Sequence, residues 1–316
     1  MNRDVRSTQP LSGMKLGLFG KGGSGKSTTT ALLAHALRRR GYKTTVLDAD
    51  STNYGLNEAL GIGEPPLPLM AYFGGAVFKG GHVSCPVDDP TPLAKSDLSW
   101  SDIPKEYKAE APSGIRYLVA GKIGGEGPGA GCDGPVAKIA RDVRLRAGQE
   151  QSVMIIDFKA GFEDSARGVV TGIDWGIIVV DPTTAAIQMA ADLLDMLEQI
   201  RAGVPPATGH LETEEQAETV RSLFRNASIR GFSVVLNRVD STETEEVLRG
   251  ALKEHGMSPE AVLYTEPAIS AAWLRGGPIG YTGESLREAA TLVEKLESRL
   301  ERKSSQLLHQ RKETEI

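Results

Sequence analysis

GKGGSGKST, residues 20–28, decides the fold of this 316-residue chain. It fits the pattern G-x-x-x-x-G-K-[ST] and lies between an apolar run, KLGLFG at 15–20, and a helical pattern at 26–40. Glycines let the backbone N–H groups of such a loop turn inward around phosphate oxygens, and the N-terminus of the following helix adds positive potential. Residues 20–28 are therefore predicted to be a phosphate-binding loop between a strand and a helix.

The phosphate-binding loop predicts both a nucleotide and a metal ion. We expect Lys26 to bridge the β- and γ-phosphates and the Ser27 hydroxyl to ligate magnesium. The loop therefore predicts a nucleoside triphosphate and magnesium, and ATP as the nucleotide is implied by the family resemblance given below. The residues expected to contact the nucleotide here are Gly20, Gly22, Gly23, Ser24, Gly25, Lys26, Ser27 and Thr28.

Short, continuously apolar runs recur along the chain and predict strands that are buried on both faces of a parallel sheet. They lie at 15–20, 43–48, 115–120, 153–157, 176–180, 232–237 and 261–265. Helical patterns alternate with them at 26–40, 183–201, 212–227, 242–255 and 284–302. This alternation predicts one α/β domain with a doubly wound, mostly parallel sheet.

The predicted domain runs from residue 14 to residue 302. Residues 1–13 are polar and are expected to form a disordered extension, and residues 303–316 a frayed tail. The segment 62–113 is rich in Pro, Gly and Asp and is expected to be an insertion over the edge or the active face of the sheet. His35, which lies close to three arginines in the first helix, is expected at the surface.

Charge and composition argue against several classes of partner. The formal net charge is −5, so the chain carries no overall basic surface for nucleic acid. No apolar run approaches the ~20 residues that a membrane span needs. The two cysteines, Cys85 and Cys132, do not make a disulfide framework, and no apolar leader precedes the first strand. We therefore expect a cytoplasmic protein that binds neither membrane nor nucleic acid.

Lys21 adds a second lysine directly after the first glycine of the phosphate-binding loop. In this respect the loop resembles that of the deviant Walker A ATPases, the MinD, ParA, Mrp and nitrogenase iron-protein class. The resemblance implies a homodimer with ATP sandwiched between its subunits, in which Lys21 reaches the partner's phosphates. It also implies slow, dimer-dependent hydrolysis of ATP to ADP and phosphate, with Lys21, Lys26 and Asp50 as catalytic residues.

The same resemblance gives roles to polar residues at the ends of three further predicted strands. In VLDADSTN, Asp48 is implied to hold magnesium through water, and Asp50 to orient or deprotonate the attacking water. In VMIIDFKAG, Asp157 is a second magnesium carboxylate, and Gly161 permits a segment that senses the γ-phosphate. Asn237, at the end of FSVVLN, is implied to pair with adenine.

Several segments resemble one branch of this class, the CooC-type carbon monoxide dehydrogenase maturation ATPases. They are DLSWSDIPKEY at 97–107, GIRYLVAGKI at 114–123, the glycine run with GCDGP that ends at 135, and DFKAGFEDSARGVVTGID at 157–174. The resemblance implies a role in inserting nickel into a client metalloenzyme. Cys132 is then a possible ligand for a soft metal, nickel or zinc, at the dimer interface.

The cysteine loop departs from the pattern of that branch. The branch has Cys-x-Cys-Pro, whereas Gly134 stands here in place of the second cysteine. A dimer would present two thiolates, although a closed tetrahedral site needs four ligands. The alternatives for the remaining ligands are Asp133, the pair His82 and Cys85, and a client's own ligands. A further alternative is that metal binding has been lost.

Two other functions stay open at this point. One is a positioning or partitioning ATPase of the MinD or ParA type, although the last predicted helix is balanced in charge and lacks the aromatic residues of a membrane-binding helix. The other is an iron–sulfur reductase like the nitrogenase iron protein, although residues 157–170 contain no second cysteine for a shared cluster. ATP is expected over GTP, although the sequence Asn237-Arg238-Val239-Asp240 is close to a guanine-reading motif.

Overall fold

The computed structural model describes residues 9–76, 81–123, 133–146, 151–161, 168–204, 206–209, 211–279 and 283–314. Its strands are β1 (Lys15–Phe19), β2 (Lys43–Ala49), β3 (Asp97–Leu98), β4 (Ala109–Glu110), β5 (Arg116–Val119), β6 (Arg144–Leu145), β7 (Ser152–Phe158), β8 (Trp175–Val180), β9 (Phe232–Val239) and β10 (Pro259–Tyr264). Its α-helices are α1 (Lys26–Arg39), α2 (Leu56–Ala59), α3 (Leu69–Tyr72), α4 (Gly134–Asp142), α5 (Thr184–Arg201), α6 (Glu214–Arg225), α7 (Thr242–Glu254), α8 (Pro267–Arg275) and α9 (Glu284–Thr314).

Eight of these strands form one sheet in the order β10-β9-β8-β1-β7-β2-β5-β4. Every neighbouring pair is parallel except β4 and β5, which are antiparallel at the edge. β3 and β6 form a separate two-stranded parallel sheet. The predicted fold class, a mostly parallel α/β sheet, is confirmed.

The central strands contain continuous apolar runs because each face of the sheet carries its own core. In β7, Met154, Ile156 and Phe158 join the cluster on one face, and Val153 and Ile155 join the cluster on the other. Successive side chains of a strand point to opposite faces, so burial on both faces requires an unbroken apolar run. Helices α1 and α9 cover one face, and α4, α5 and α7 cover the other.

The segment 62–113 lies over one face and one edge of the sheet. Met70, Val83 and Ile103 are buried in the same cluster as α4. β4 pairs with β5 at the edge of the main sheet, and β3 pairs with β6. These two-residue strands and the single-turn helices α2 and α3 were not predicted, because elements so short show no periodicity.

The start of the chain corrects one expectation. Residues 9–13, predicted to be disordered, form a turn in which Leu11 is fully buried beneath α1. The Gly13 N–H donates to the Ser152 carbonyl oxygen at 2.7 Å. The buried Leu11 side chain and this backbone hydrogen bond hold the turn. Residues 1–8 lie outside the described part of the chain.

At the end of the chain, α9 continues to Thr314, beyond the predicted domain end at residue 302. That residues 303–316 fray stays a prediction. No glycine or proline interrupts residues 284–314, so nothing in the sequence ends the helix at residue 302. Within the described part of the chain, none of the helices combines the length and the apolar character that crossing a membrane requires.

His35 is buried rather than exposed, with 4% of its surface accessible. The prediction was wrong because α9 packs against α1, so the side of α1 that faces away from the sheet is covered as well. Arg40 and Glu297 join the two helices through an ion pair of 2.8 Å. Burial, followed by the charge of Arg39, lowers the pKa of His35 to about 4.

Candidate functional site

The phosphate-binding loop lies at the carboxyl end of β1, and its backbone can be built only with glycine at two positions. Gly20 and Gly25 have φ values of 148° and 94°. A Cβ atom at Gly20 would lie 2.5 Å from the Val179 carbonyl oxygen, and one at Gly25 would lie 1.9 Å from Nδ2 of Asn237. The left-handed backbone and the crowding both exclude a side chain here.

The interior of the loop is positively charged. The Lys26 side chain is buried, and its ammonium group donates to the carbonyl oxygen of Gly20 at 3.3 Å. α1 begins at Lys26 with no acidic residue in its first turn and no side chain that caps its N-terminus. The first N–H groups of a helix have no partner within the helix, and together they attract anions. The arrangement fits a phosphate group.

A hydroxyl and a carboxylate meet at the mouth of this loop. Ser27 Oγ donates to Asp157 Oδ2 at 2.6 Å and accepts from Asn53 Nδ2 at 2.6 Å. Asp157 is fully buried, and its other carboxylate oxygen, Oδ1, has no hydrogen-bond partner among the described residues. Burial, and then the charge of Asp48, raises the pKa of Asp157 to about 7.

These donors fit magnesium. Hydroxyl and carboxylate oxygens are hard ligands of the kind that Mg²⁺ takes, and Mg²⁺ usually keeps several waters. A buried oxygen without a partner needs an explanation, and a water bound to a cation at Ser27 would supply one for Asp157 Oδ1. Among the described residues, no group of three or more His, Cys, Asp or Glu side chains could hold a metal by itself.

Asp48 lies beside Asp157 in the register of β2 and β7, but its environment differs. The Tyr117 hydroxyl and the Lys122 ammonium group donate to its carboxylate at 2.7 and 2.8 Å. Burial raises the pKa of Asp48, and the charge of Lys122 opposes that rise. Both oxygens of the Asp48 carboxylate therefore have hydrogen-bond donors within the protein.

Asp50 follows β2 in a tight turn at the rim of the site. Its Oδ1 accepts from the backbone N–H groups of Thr52 and Asn53 at 3.0 and 3.2 Å, and from the Thr52 hydroxyl at 2.7 Å. Gly161, after β7, donates its N–H to the Gly20 carbonyl oxygen at 3.3 Å. The segments after β1, β2 and β7 thus converge at one edge of the sheet.

An open cleft of about 550 Å³ lies over the phosphate-binding loop. One wall is the loop with Asp50 and Asn53, and the opposite wall is formed by Arg238, Ser270 and Trp273. The Trp273 Nε1–H donates to the Thr28 hydroxyl at 2.9 Å. Helix α8 was not predicted, although Pro267 in its first turn is a signal for the start of a helix.

The sequence profile of the CobQ/CobB/MinD/ParA nucleotide binding domain matches residues 18–279. The chain belongs to this family. The match begins within β1 and ends after α8, so it includes both walls of the cleft.

Individual relatives agree with the family. The chain is 32% identical over 189 residues to an uncharacterized ATP-binding protein of Methanocaldococcus jannaschii, a match that covers 59% of this chain and 74% of that protein. It is 29% identical over 195 residues to the carbon monoxide dehydrogenase accessory protein CooC of Rhodospirillum rubrum, covering 57% of this chain and 67% of that protein. The crystal structure of the cell division ATPase MinD of Pyrococcus furiosus superposes with a TM-score of 0.57 at 19% identity, covering 90% of this chain and 99% of that chain, which shows the shared fold.

Lys21 lies on the rim of the nucleotide site of this family member. Its side chain is 37% exposed, and its ammonium nitrogen is 3.9 Å from Asp181 Oδ2. A long, partly exposed side chain with an ion pair at this distance is free to reorient at little cost. That it acts across a dimer stays a prediction.

Asn237 contacts the backbone of the phosphate-binding loop. It is buried, and its Nδ2 donates to the carbonyl oxygen of Ser24 at 2.7 Å. The next residue, Arg238, has a φ of 58° and lines the cleft. The pairing of Asn237 with adenine stays a prediction, and the structure adds its contact with the loop.

The predicted soft-metal ligand, Cys132, lies outside the described residues. Asp133, one candidate for a further ligand, is an ion-pair partner instead: its Oδ2 accepts from Ser51 Oγ at 2.7 Å and from Lys159 Nζ at 2.8 Å. His82 and Cys85 belong to no cluster of three or more potential ligands within the described residues. That Asp133, or His82 with Cys85, completes a metal site with Cys132 stays a prediction.

Proposed function

We propose that the chain is a magnesium-dependent ATPase that works as an ATP-sandwiched homodimer and assists metal insertion into a client metalloenzyme. The observation that carries the ATPase part is the unpartnered oxygen of Asp157, whose other oxygen accepts from Ser27 at the mouth of the phosphate-binding loop. Membership of the nucleotide-binding family supports it.

Each part of the loop has a task in this proposal. The backbone N–H groups and Lys26 bind the β- and γ-phosphates, and Ser27 and Asp157 hold magnesium, which neutralises phosphate charge when bound. Asp50 accepts the proton of the water that attacks the γ-phosphorus, while the bond to the oxygen of the leaving ADP breaks. Lys21, the mark of a deviant Walker A loop, contacts the phosphates held by the partner subunit.

Replacement of Lys26 tests the nucleotide site. Lys26→Ala is expected to weaken ATP binding about 10- to 100-fold, because a charge-assisted hydrogen bond worth roughly 1.5–3 kcal/mol is lost, and to remove ATP turnover. Lys43→Ala, an exposed lysine at the other end of β2, is the control. Calorimetric titration with Mg·ATP and a phosphate-release assay measure the two effects. Unchanged turnover in Lys26→Ala would refute the nucleotide assignment.

The metal-insertion role is supported by the likeness to CooC and by Cys132 in its glycine-rich context. Nickel or zinc is here the cargo. We expect one Ni²⁺ or Zn²⁺ per dimer in the presence of a non-hydrolysable ATP analogue, and loss of that binding in Cys132→Ala but not in Cys85→Ala. Metal binding that needs no nucleotide and survives Cys132→Ala would exclude this role.

A positioning ATPase is the second candidate, because the chain is also 26% identical over 179 residues to a putative septum site-determining protein MinD of Mesostigma viride. That function requires ATP-dependent attachment to a surface. Sedimentation with anionic liposomes or with nonspecific DNA separates the two candidates. Pelleting that requires ATP favours the positioning role, and its absence favours metal insertion.

A further inference from the structure

Lys122 is a partly buried cation that the proposed ATPase reaction leaves unused. Its ammonium group donates to the Asp48 carboxylate at 2.8 Å and to the carbonyl oxygens of Asp50 and Asn53 at 2.6 and 2.5 Å. A lysine ammonium group has three N–H donors, so all of them are used by these acceptors. Its side chain is 19% exposed, and the group lies 5.7 Å from the centroid of the Tyr54 ring.

The three acceptors of Lys122 lie at the end of β2 and in the turn that follows it. Asp48 is the last carboxylate of β2, and the two carbonyl groups belong to the turn that carries the Asp50 side chain. Removing one partner from a buried ion pair leaves a charge without compensation, so Lys122 and Asp48 hold each other in place. The turn 50–53 is thereby fastened to the end of β2, which sets where the Asp50 carboxylate lies relative to the phosphate-binding loop.

A second ion pair fastens the same turn from another direction. Asp133 accepts from Ser51 Oγ and from Lys159, the second residue after Asp157. Lys122 and Asp133 therefore both contact the segments that carry the carboxylates of the nucleotide site. In the sequence they bound the segment 122–133, and Cys132 directly precedes Asp133.

We propose that Lys122 is a positioning residue: it sets the place of Asp50 for hydrolysis and, together with Asp133, connects nucleotide occupancy to the chain on either side of Cys132. The inference rests on the proposed ATPase function. The alternative is that Lys122 serves only to neutralise Asp48, and the two possibilities predict different kinetics.

The kinetic test compares Lys122→Met and Lys122→Arg with Lys108→Met. Lys108 is a matched control, because its ammonium group also donates to a carbonyl oxygen, that of Trp100 at 2.6 Å, and lies 5.2 Å from an aromatic ring centroid. Lys122→Met is expected to lower kcat at least about tenfold, since a general base supplies roughly 10²- to 10⁴-fold. The dissociation constant for Mg·ADP is expected to change less than about threefold, since the phosphate-binding loop is intact.

Lys122→Arg tests position apart from charge. A planar guanidinium group keeps the charge but cannot direct its donors to the same three acceptors. We therefore expect a lowered kcat at an unchanged melting temperature. If Lys122→Met does not fold, the arginine variant alone decides, and a wild-type kcat in Lys122→Arg overturns the positioning role.

Hydrogen exchange tests whether nucleotide occupancy is connected to residues 116–123 and 133–142. In the wild-type protein, Mg·ADP is expected to slow exchange in both segments, and in Lys122→Met this nucleotide-dependent difference is expected to disappear from 116–123. Equal responses in Lys122→Met and Lys108→Met would overturn the inference. A wild-type protein that neither binds Mg·ADP nor hydrolyses ATP would instead refute the proposed function.

Discussion

Lys15 and Asp157 are buried charged residues at opposite ends of the central strands. Asp157 lies at the carboxyl end, where a cation in the cleft would stabilise its charge. Lys15 lies at the other end of β1, where its ammonium group donates to the carbonyl oxygens of Arg141 and Val143, each at 2.8 Å. Burial, followed by the charge of Arg144, lowers the pKa of Lys15 to about 7. Lys15 is therefore bound by the protein itself, whereas Asp157 keeps one carboxylate oxygen without a hydrogen-bond partner among the described residues.

Lys15 makes the stability of the protein depend on pH. Between pH 7 and pH 10.5 the unfolded lysine binds a proton that the folded lysine has released, so the free energy of unfolding rises with pH across this window. The contribution to the slope is at most about 1.4 kcal/mol per pH unit. Lys15→Met is expected to flatten the rise between pH 7 and pH 9.5, measured by urea denaturation. A slope equal to that of the wild-type protein would show that Lys15 stays charged.

At the scale of elements, α9 packs against the domain along α1 and β10. Its Leu296 side chain is fully buried, with 0% of its surface exposed. The same helix provides Glu297, which accepts from the Tyr42 hydroxyl at 2.7 Å. α9 is therefore part of the core and closes one face of the sheet.

Truncation of Leu296 tests this packing. Leu296→Ala is expected to lower the free energy of unfolding by about 2–5 kcal/mol, because it leaves a cavity between α1 and α9. Leu274→Ala, at a position that is 88% exposed, is the control and is expected to change stability by less than about 0.5 kcal/mol. Denaturant unfolding followed by circular dichroism measures both. Equal free energies of unfolding for Leu296→Ala and Leu274→Ala would mean that α9 does not pack on α1.

Tryptophan fluorescence reports on the wall formed by α8, because Trp273 lines the cleft. Trp175 is buried in the core, and Trp100 lies 4.9 Å from the Arg116 guanidinium group, measured to its ring centroid. Mg·ADP is therefore expected to change the tryptophan fluorescence of the wild-type protein, and Trp273→Phe is expected to remove most of that change. A full response in Trp273→Phe would place the nucleotide away from α8.

At the scale of the whole molecule, the parallel sheet collects residues from distant parts of the sequence. The carboxyl ends of parallel strands meet at one edge, so the segments after β1, β2, β7 and β10 and the end of β9 reach the cleft. Lys21, in the phosphate-binding loop, has a side chain that is 37% exposed. We therefore predict that the second subunit of the proposed dimer contacts it.

Dimer formation is expected to depend on ATP. Asp50→Ala, which removes the proposed general base, is expected to accumulate a dimer of twice the monomer mass with Mg·ATP and to stay monomeric with Mg·ADP. Adding Lys21→Ala to that variant is expected to abolish the dimer, since the contact with the partner's phosphates is lost. Sedimentation velocity distinguishes the species. A monomer under all conditions would reject the sandwich arrangement.

The parts of the site that were predicted share one property: each is a local motif at a strand end. The phosphate-binding loop, Asp48, Asp50 and Asp157 could be identified because a few adjacent residues carry both the strand and its polar end. Lys122 and Trp273 were missed because their contacts with Asp48 and Thr28 cross 74 and 245 residues of sequence. Nothing near either residue in the chain indicates such a partner.

By itself, the sequence determined the strand–helix alternation, the parallel sheet and the glycines of the phosphate-binding loop, because continuous apolar runs and left-handed backbone positions are local requirements. Only the tertiary structure decided that His35 is buried, that Asp48 is bound by Tyr117 and Lys122, and that Asp133 pairs with Lys159. Burial and ion pairing depend on which elements pack together. That choice is made by the whole core, and no single segment contains it.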